Sequence, residues 1–258
     1  MLNNIVQPIE EQLLQVHNKI KKELVIKAGH VGTFAHLDFS SVNKTIRPAL
    51  AILSSRLFGG NQKKTIALAS VFQFIYMASR VHNGITESDS DYLRGDSDPR
   101  DGSQFPVLVG DYLYGKFFTL LCDAGIINLL QPVAEIICDI HEGGILKKKA
   151  AGQDHSSQSW REVVRKETAE LFAGCCFLSA RLAGAPEEQQ EVMRHFGLNL
   201  GMAFGLMEKG VSFDTVEGYI EKAKKELAAM PDRPERGILR RMVNSLGEHG
   251  LPAVRMVG

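Results

Sequence analysis

Apolar residues return every three or four positions along nearly the whole chain, the spacing of helices that bury one face. Ile5, Ile9, Leu13, Val16 and Ile20 fall on one such face. Leu50, Leu53 and Leu57 mark a second helix, and Ile66, Ala69, Phe72 and Tyr76 a third. Val109, Leu113, Phe117 and Leu120 form the next stripe, followed by Val133, Ile136, Ile140 and Ile145. Val163, Thr168, Leu171, Cys175 and Leu178 predict another helix, and Val192, Phe196, Leu200 and Ala203 the one after it. No run alternates apolar and polar residues long enough to predict a strand, so the expected class is all-α. Turn chemistry separates the helices at Gly59-Gly60-Asn61, at residues 95–102 and 151–159, at Gly184-Ala185-Pro186 and at residues 231–234. With no repeat and no linker composition, residues 1–258 read as one helical domain.

Composition changes this picture little. The 258 residues are enough for a sizeable core, and 44% apolar with 23% charged residues is ordinary for a globular protein. Thirty basic side chains balance thirty acidic ones, which gives no reason to expect nucleic acid as a partner and does little to oppose self-association. The greasiest region, residues 105–138, is interrupted by Asp111, Lys116, Asp123 and Gln131, so no membrane span is predicted. The first residues lack the basic-then-apolar order of a secretory leader. Cys122, Cys138, Cys175 and Cys176 have no zinc-ligand spacing, and the expectation is reduced, buried thiols in a cytoplasmic protein. A redox pair or a lipidated thiol is the sharper alternative.

The candidate chemistry lies in two segments. One is Ala78-Ser79-Arg80-Val81-His82-Asn83-Gly84-Ile85-Thr86-Glu87. The other is Phe196-Gly197-Leu198-Asn199-Leu200-Gly201-Met202-Ala203-Phe204, with Glu208-Lys209-Gly210-Val211-Ser212 beyond it. With Asn43-Lys44-Thr45-Ile46-Arg47-Pro48 upstream, the chain resembles the trans-polyprenyl diphosphate synthase family. The resemblance implies a terpenoid synthase-like helical bundle, here shortened in its C-terminal half. It also implies dimerisation through helix faces, with a second copy or with a catalytic homologue.

In that family an Asp-Asp-x-x-Asp run follows the His of the first segment, and a second run follows the Phe of the other. Magnesium held between the runs neutralises the departing diphosphate. Here the first run reads Asn83-Gly84-Ile85-Thr86-Glu87, and the second keeps only Glu208 and gains Lys209. Asn83, Glu87 and Glu208 are thus degenerate catalytic positions, and the resemblance implies no intact metal site. The matches to the family's diphosphate contacts are Lys44 and Arg47, Arg94 in Leu93-Arg94-Gly95, and Thr168 in Glu167-Thr168. Lys44 and Arg47 stand three apart, which places them on one helix face. Tyr76 stands where the family has a His or Gln, Gly205 where it has a Gln, and Glu142-Gly143-Gly144 where it has Glu-Gly-Glu. The acidic stretch with Glu87, Asp89, Asp91, Asp96, Asp98 and Asp101 reads either as a hydrated loop or as a displaced cation site. His30, His36 and His82 have no ligand spacing, and Trp160 reads as a packing residue at a helix start.

Three functions fit these residues. The first is a non-catalytic member of the fold: the partner subunit of a catalytic homologue, or a binder of isoprenyl diphosphates, with no cofactor. The second is an active prenyltransferase that joins isopentenyl diphosphate to an allylic diphosphate, with magnesium held by Glu87, Asp89 and Asp91. The third is a helical scaffold without an isoprenoid role.

Overall fold

Pro8 has no N–H to donate, and it splits the first apolar run. In the computed structural model, which describes residues 2–85, 100 and 104–249, that run is a short helix α1 (Leu2–Ile5), one 3-10 turn (Gln7–Ile9) and helix α2 (Glu10–Glu23). The continuous helix face expected over Ile5 to Ile20 is therefore broken. A two-residue antiparallel pair follows, β1 (Val25–Ile26) and β2 (Gly29–His30), too short to alter the all-α class.

Ser40 caps α3 (Ser41–Leu57) by accepting from the Asn43 N–H, and Asn61 caps α4 (Gln62–Asn83) by accepting from the Lys64 N–H. Then come α5 (Gln104–Asp123), α6 (Leu130–Lys149) and α7 (Gln158–Val164), which Ser157 caps. A π-turn (Arg165–Ala169) joins α7 to α8 (Glu170–Leu182) without a loop. Helices α9 (Glu187–Glu208), α10 (Phe213–Ala228) and α11 (Pro234–His249) complete the described chain.

The core is centred on α3, α4, α8 and α9, whose aromatic rings Phe72, Phe74, Phe172, Phe196 and Phe204 are all buried. Small residues let α9 lie unusually close to its neighbours. A Cβ at Gly197 would stand 2.5 Å from the Phe172 carbonyl oxygen, and one at Gly201 would stand 2.6 Å from Ala169 Cα. Arg56 ties the N- and C-terminal helices to α3, bonding Glu235 at 3.0 Å and Gln12 at 3.1 Å.

Two expectations from spacing fail locally. Ile145, five residues after Ile140, is exposed, and the α6 stripe runs instead through buried Gly143 to Leu146. Cys122 and Cys138 are exposed as well; only Cys175 and Cys176 are buried. Burial pushes Cys175 well above the ordinary thiol range and Cys176 up to about 12, so both are inert thiols. No described helix is long and apolar enough to cross a membrane.

Candidate functional site

The C-terminal ends of α4 and α9 face the π-turn and the last turns of α6. Asn83, at the end of α4, donates from Nδ2 to Glu167 Oε1 of the π-turn at 3.4 Å. On α6, a Cβ at Gly144 would stand 3.2 Å from Asn83 Oδ1, and one at Gly143 would stand 2.9 Å from Glu167 Cγ. At the end of α9, Glu208 accepts from Asn43 Nδ2 at 3.2 Å. The two segments singled out by sequence therefore meet at one cleft, and their surviving polar side chains already hold protein partners.

Lys209 completes the wall. Its ammonium lies 5.6 Å from the Trp160 ring, and its carbonyl lies 3.1 Å from His155 Nδ1. Burial lowers its pKa first and the nearby charge of Lys147 lowers it further; Arg80 adds to this, while Glu167 and Glu208 oppose it. Trp160 packs at the start of α7 as expected, with its indole N–H donating to the Ala150 carbonyl at 3.1 Å.

Magnesium requires several hard oxygen ligands in octahedral array. The described residues do not fit it: the two helix ends offer one amide, Asn83, and one carboxylate, Glu208, Lys209 adds a cation, and no cluster of three His, Cys, Asp or Glu side chains among the described residues can hold a metal. Glu87, Asp89, Asp91 and Arg94, the other sequence-predicted positions, lie outside the described residues.

Lys44 and Arg47 do not share a face, contrary to the three-residue spacing. Lys44 is exposed at the lip of a cavity of about 570 Å³ that includes Ile20, Leu24, Leu37, Phe39 and Met77. Arg47 is 2% exposed and turns into the core. Its guanidinium sits 3.6 Å above the Tyr76 ring and donates from Nη1 to the Asn43 side-chain oxygen at 3.2 Å. Gln73 donates to the Asn43 carbonyl at 3.3 Å. Burial lowers the Arg47 pKa, while Tyr76 and Glu208 pull it back up. Burial likewise raises the Tyr76 phenol. The chain Arg47–Asn43–Glu208 thus carries a buried charge to the cleft wall.

Thr168 is half-buried on the π-turn, packed against α9. A Cβ at Gly205 would stand 3.2 Å from Thr168 Cβ and 2.6 Å from Val164 Cγ1, so a larger residue there forces Val164 to shift. Sequence reasoning missed Arg80 and Lys147. Arg80 shares a face with Asn83 by spacing, but only the tertiary fold brings Lys147 beside them.

Residues 33–208 match the family model described as polyprenyl synthetase. The octaprenyl diphosphate synthase of Escherichia coli is 26% identical over 210 residues, which is 80% of this chain and 65% of that protein. The chain thus spans about 65% of the length of the curated relatives it matches. Among solved structures, a decaprenyl diphosphate synthase from Rhodobacter capsulatus shares the fold with a TM-score of 0.78 at 22% identity, covering 96% of this chain and 99% of that one. The geranyl diphosphate synthase small subunit from Antirrhinum majus gives 0.72 at 19%, covering 95% and 99%.

Proposed function

Because this chain belongs to the polyprenyl synthetase family, we propose that it serves isoprenoid biosynthesis as a non-catalytic subunit, partnered with a prenyl-transferring homologue. One observation carries this reading. At the two helix ends where the resemblance calls for magnesium ligands, the described residues offer one amide, Asn83, bonded to Glu167, one carboxylate, Glu208, bonded to Asn43, and the ammonium of Lys209. Ionising an allylic diphosphate needs a neutralised leaving group, and this cleft offers no described metal cluster to supply that. The packing that shapes the bundle is kept, in Gly197 and Gly201 against α8 and the π-turn. Intact packing beside a depleted set of ligands is what selection for a partner's support leaves behind.

A face for that partner is available. Leu108, Phe118 and Cys122 on α5 line up at helical spacing and are exposed, as are Cys138 and Ile145 on α6. The geranyl diphosphate synthase small subunit of Antirrhinum majus shares the same frame. The test is a prenyl-transfer assay with magnesium, isopentenyl diphosphate and allylic diphosphates, on the chain alone and mixed with a catalytic homologue from the same source. A rate or product length that changes only on mixing is the expected result. Turnover by the chain alone would overturn it, and would put catalysis on a metal site completed by Glu87, Asp89 and Asp91.

A further inference from the structure

The cavity of about 570 Å³ with Lys44 at its lip lies between α2, the β1–β2 hairpin, the linker to α3 and the middle of α4. None of its lining residues belongs to the cleft between the ends of α4 and α9, and neither Arg47 nor Tyr76 lines it. Its size is that of a small-molecule site.

Two kinds of wall meet there. The inner face of α2 supplies Ile20 and Leu24 and α4 supplies Met77, all buried, while the linker adds half-buried Leu37 and Phe39. These side chains make an apolar floor. Gln73 also reaches it, but donates from Nε2 to the Asn43 carbonyl at 3.3 Å. The rim is cationic. Lys21 and Lys44 stand exposed on it, and among the described residues neither forms an ion pair. His17 donates from Nε2 to the Lys44 carbonyl at 3.2 Å, which ties α2 to the start of α3 at this rim. His30 Nδ1 accepts from the Gly32 N–H at 3.0 Å, which leaves the ring proton on Nε2 as a further donor. Asp38 is the single carboxylate among the lining residues.

An apolar floor under a cationic rim is complementary to an amphiphilic anion. We infer that this cavity is a site for a single-chain carboxylic acid, with its carboxylate at Lys21 and Lys44 and its hydrocarbon chain over Ile20, Leu24, Phe39 and Met77. A diphosphate fits less well. It needs several converging donors, and the Arg47 fork that could supply them is turned away over Tyr76. The inference does not depend on the partner-subunit reading, because it concerns a different face of the bundle.

Calorimetry with hexanoate, octanoate and decanoate, each below its micelle concentration, tests it. Every added methylene should tighten binding about fourfold until the floor is covered. Decyltrimethylammonium carries the same chain with the opposite charge and should bind at least about tenfold more weakly than decanoate. Lys21→Gln and Lys44→Gln should each weaken decanoate about tenfold, the loss of one hydrogen bond to a charged group. Both positions are exposed, so the variants should melt as the parent does. Leu37→Trp, which fills the cavity from the linker, should remove the dependence on chain length. Lys149→Gln, exposed at the end of α6, should leave binding unchanged. No binding, an affinity independent of chain length in the parent, equal binding of the cationic amphiphile, or indifference to both lysine substitutions would overturn the inference. Displacement of decanoate by isopentenyl diphosphate would overturn it as well.

Discussion

Arg47 provides the sharpest check on how this cleft is built. Its guanidinium is almost wholly buried, donates to Asn43, and finds no partner for Nε among the described residues. Removing the Asn43 side chain in Asn43→Ala leaves only the Asn43 carbonyl, at 3.4 Å, as an acceptor. A hydrogen bond to a charged group is worth about 2 kcal/mol, and leaving a buried charge short of it costs about that much. For a domain of this size the expected loss is about 4–8 °C in Tm. Arg47→Met behaves differently. It gives up a cation–π contact of about 1–2 kcal/mol but removes a desolvation cost of several kcal/mol (roughly). The expected Tm is unchanged or higher. In the Arg47→Met background, Asn43→Ala should then cost less than about 1 kcal/mol, a coupling of about 1–2 kcal/mol between contacting residues. Thermal and urea melts of the four proteins measure this cycle. Additive losses, or an Arg47→Met variant as unstable as Asn43→Ala, would refute the description of Arg47 as a core cation held by Asn43.

Further outcomes follow from single features. Gly205→Gln, which restores the family's residue, forces a Cβ to 2.6 Å from Val164 Cγ1; overpacking of this kind costs about 1–3 kcal/mol, and an unchanged melt would contradict the close approach of α9 to the π-turn. A thiol reagent should label Cys122 and Cys138 in the native protein and reach Cys175 and Cys176 only after denaturation; four fast thiols would contradict their burial. Burial, with help from His82, lowers the pKa of His141, whose Nε2 lies 2.7 Å from the Tyr114 hydroxyl. The unfolded chain then binds the proton more readily, so the stability this ring contributes is present above about pH 6.5 and is lost as pH falls through its folded value. Tm measured from pH 7.5 to 5 should fall less for His141→Gln than for the parent, and parallel curves would sink the assignment.

The bundle was legible from sequence because its determinants are local and repeated. A helix face needs only its own three- and four-residue spacing, and the glycines of α9 stand in line with Phe196 and Leu200 whichever partner they meet. The failures share one cause. Pro8 breaks a periodic run that looks continuous if only apolar positions are counted. Ile145 stands five residues after Ile140, off the period of α6, and is exposed. Spacing alone puts Thr168 on a regular helix, whereas residues Arg165–Ala169 form a π-turn.

The polar positions are harder, for a physical reason. Two residues at i and i+3 share a helix face only to within the width of that face, and a long side chain can leave it in either direction. Lys44 and Arg47 do so: the lysine goes out to the lip of a cavity and the arginine goes in, over Tyr76. Tyr76 is itself one of the exchanged positions, and it makes the inward rotamer favourable by offering a ring face to a desolvated cation. Losses at separate sequence positions are therefore coupled in space. An aromatic ring at Tyr76 faces Arg47, Arg47 bonds Asn43, and Asn43 donates to Glu208, whose carboxylate stays exposed at the end of α9. Read singly, each exchange looks like neutral decay of an unused pocket. Read as one connected set, they describe polar side chains turned toward one another: Arg47 over Tyr76, Asn43 between Arg47 and Glu208, and Asn83 on Glu167.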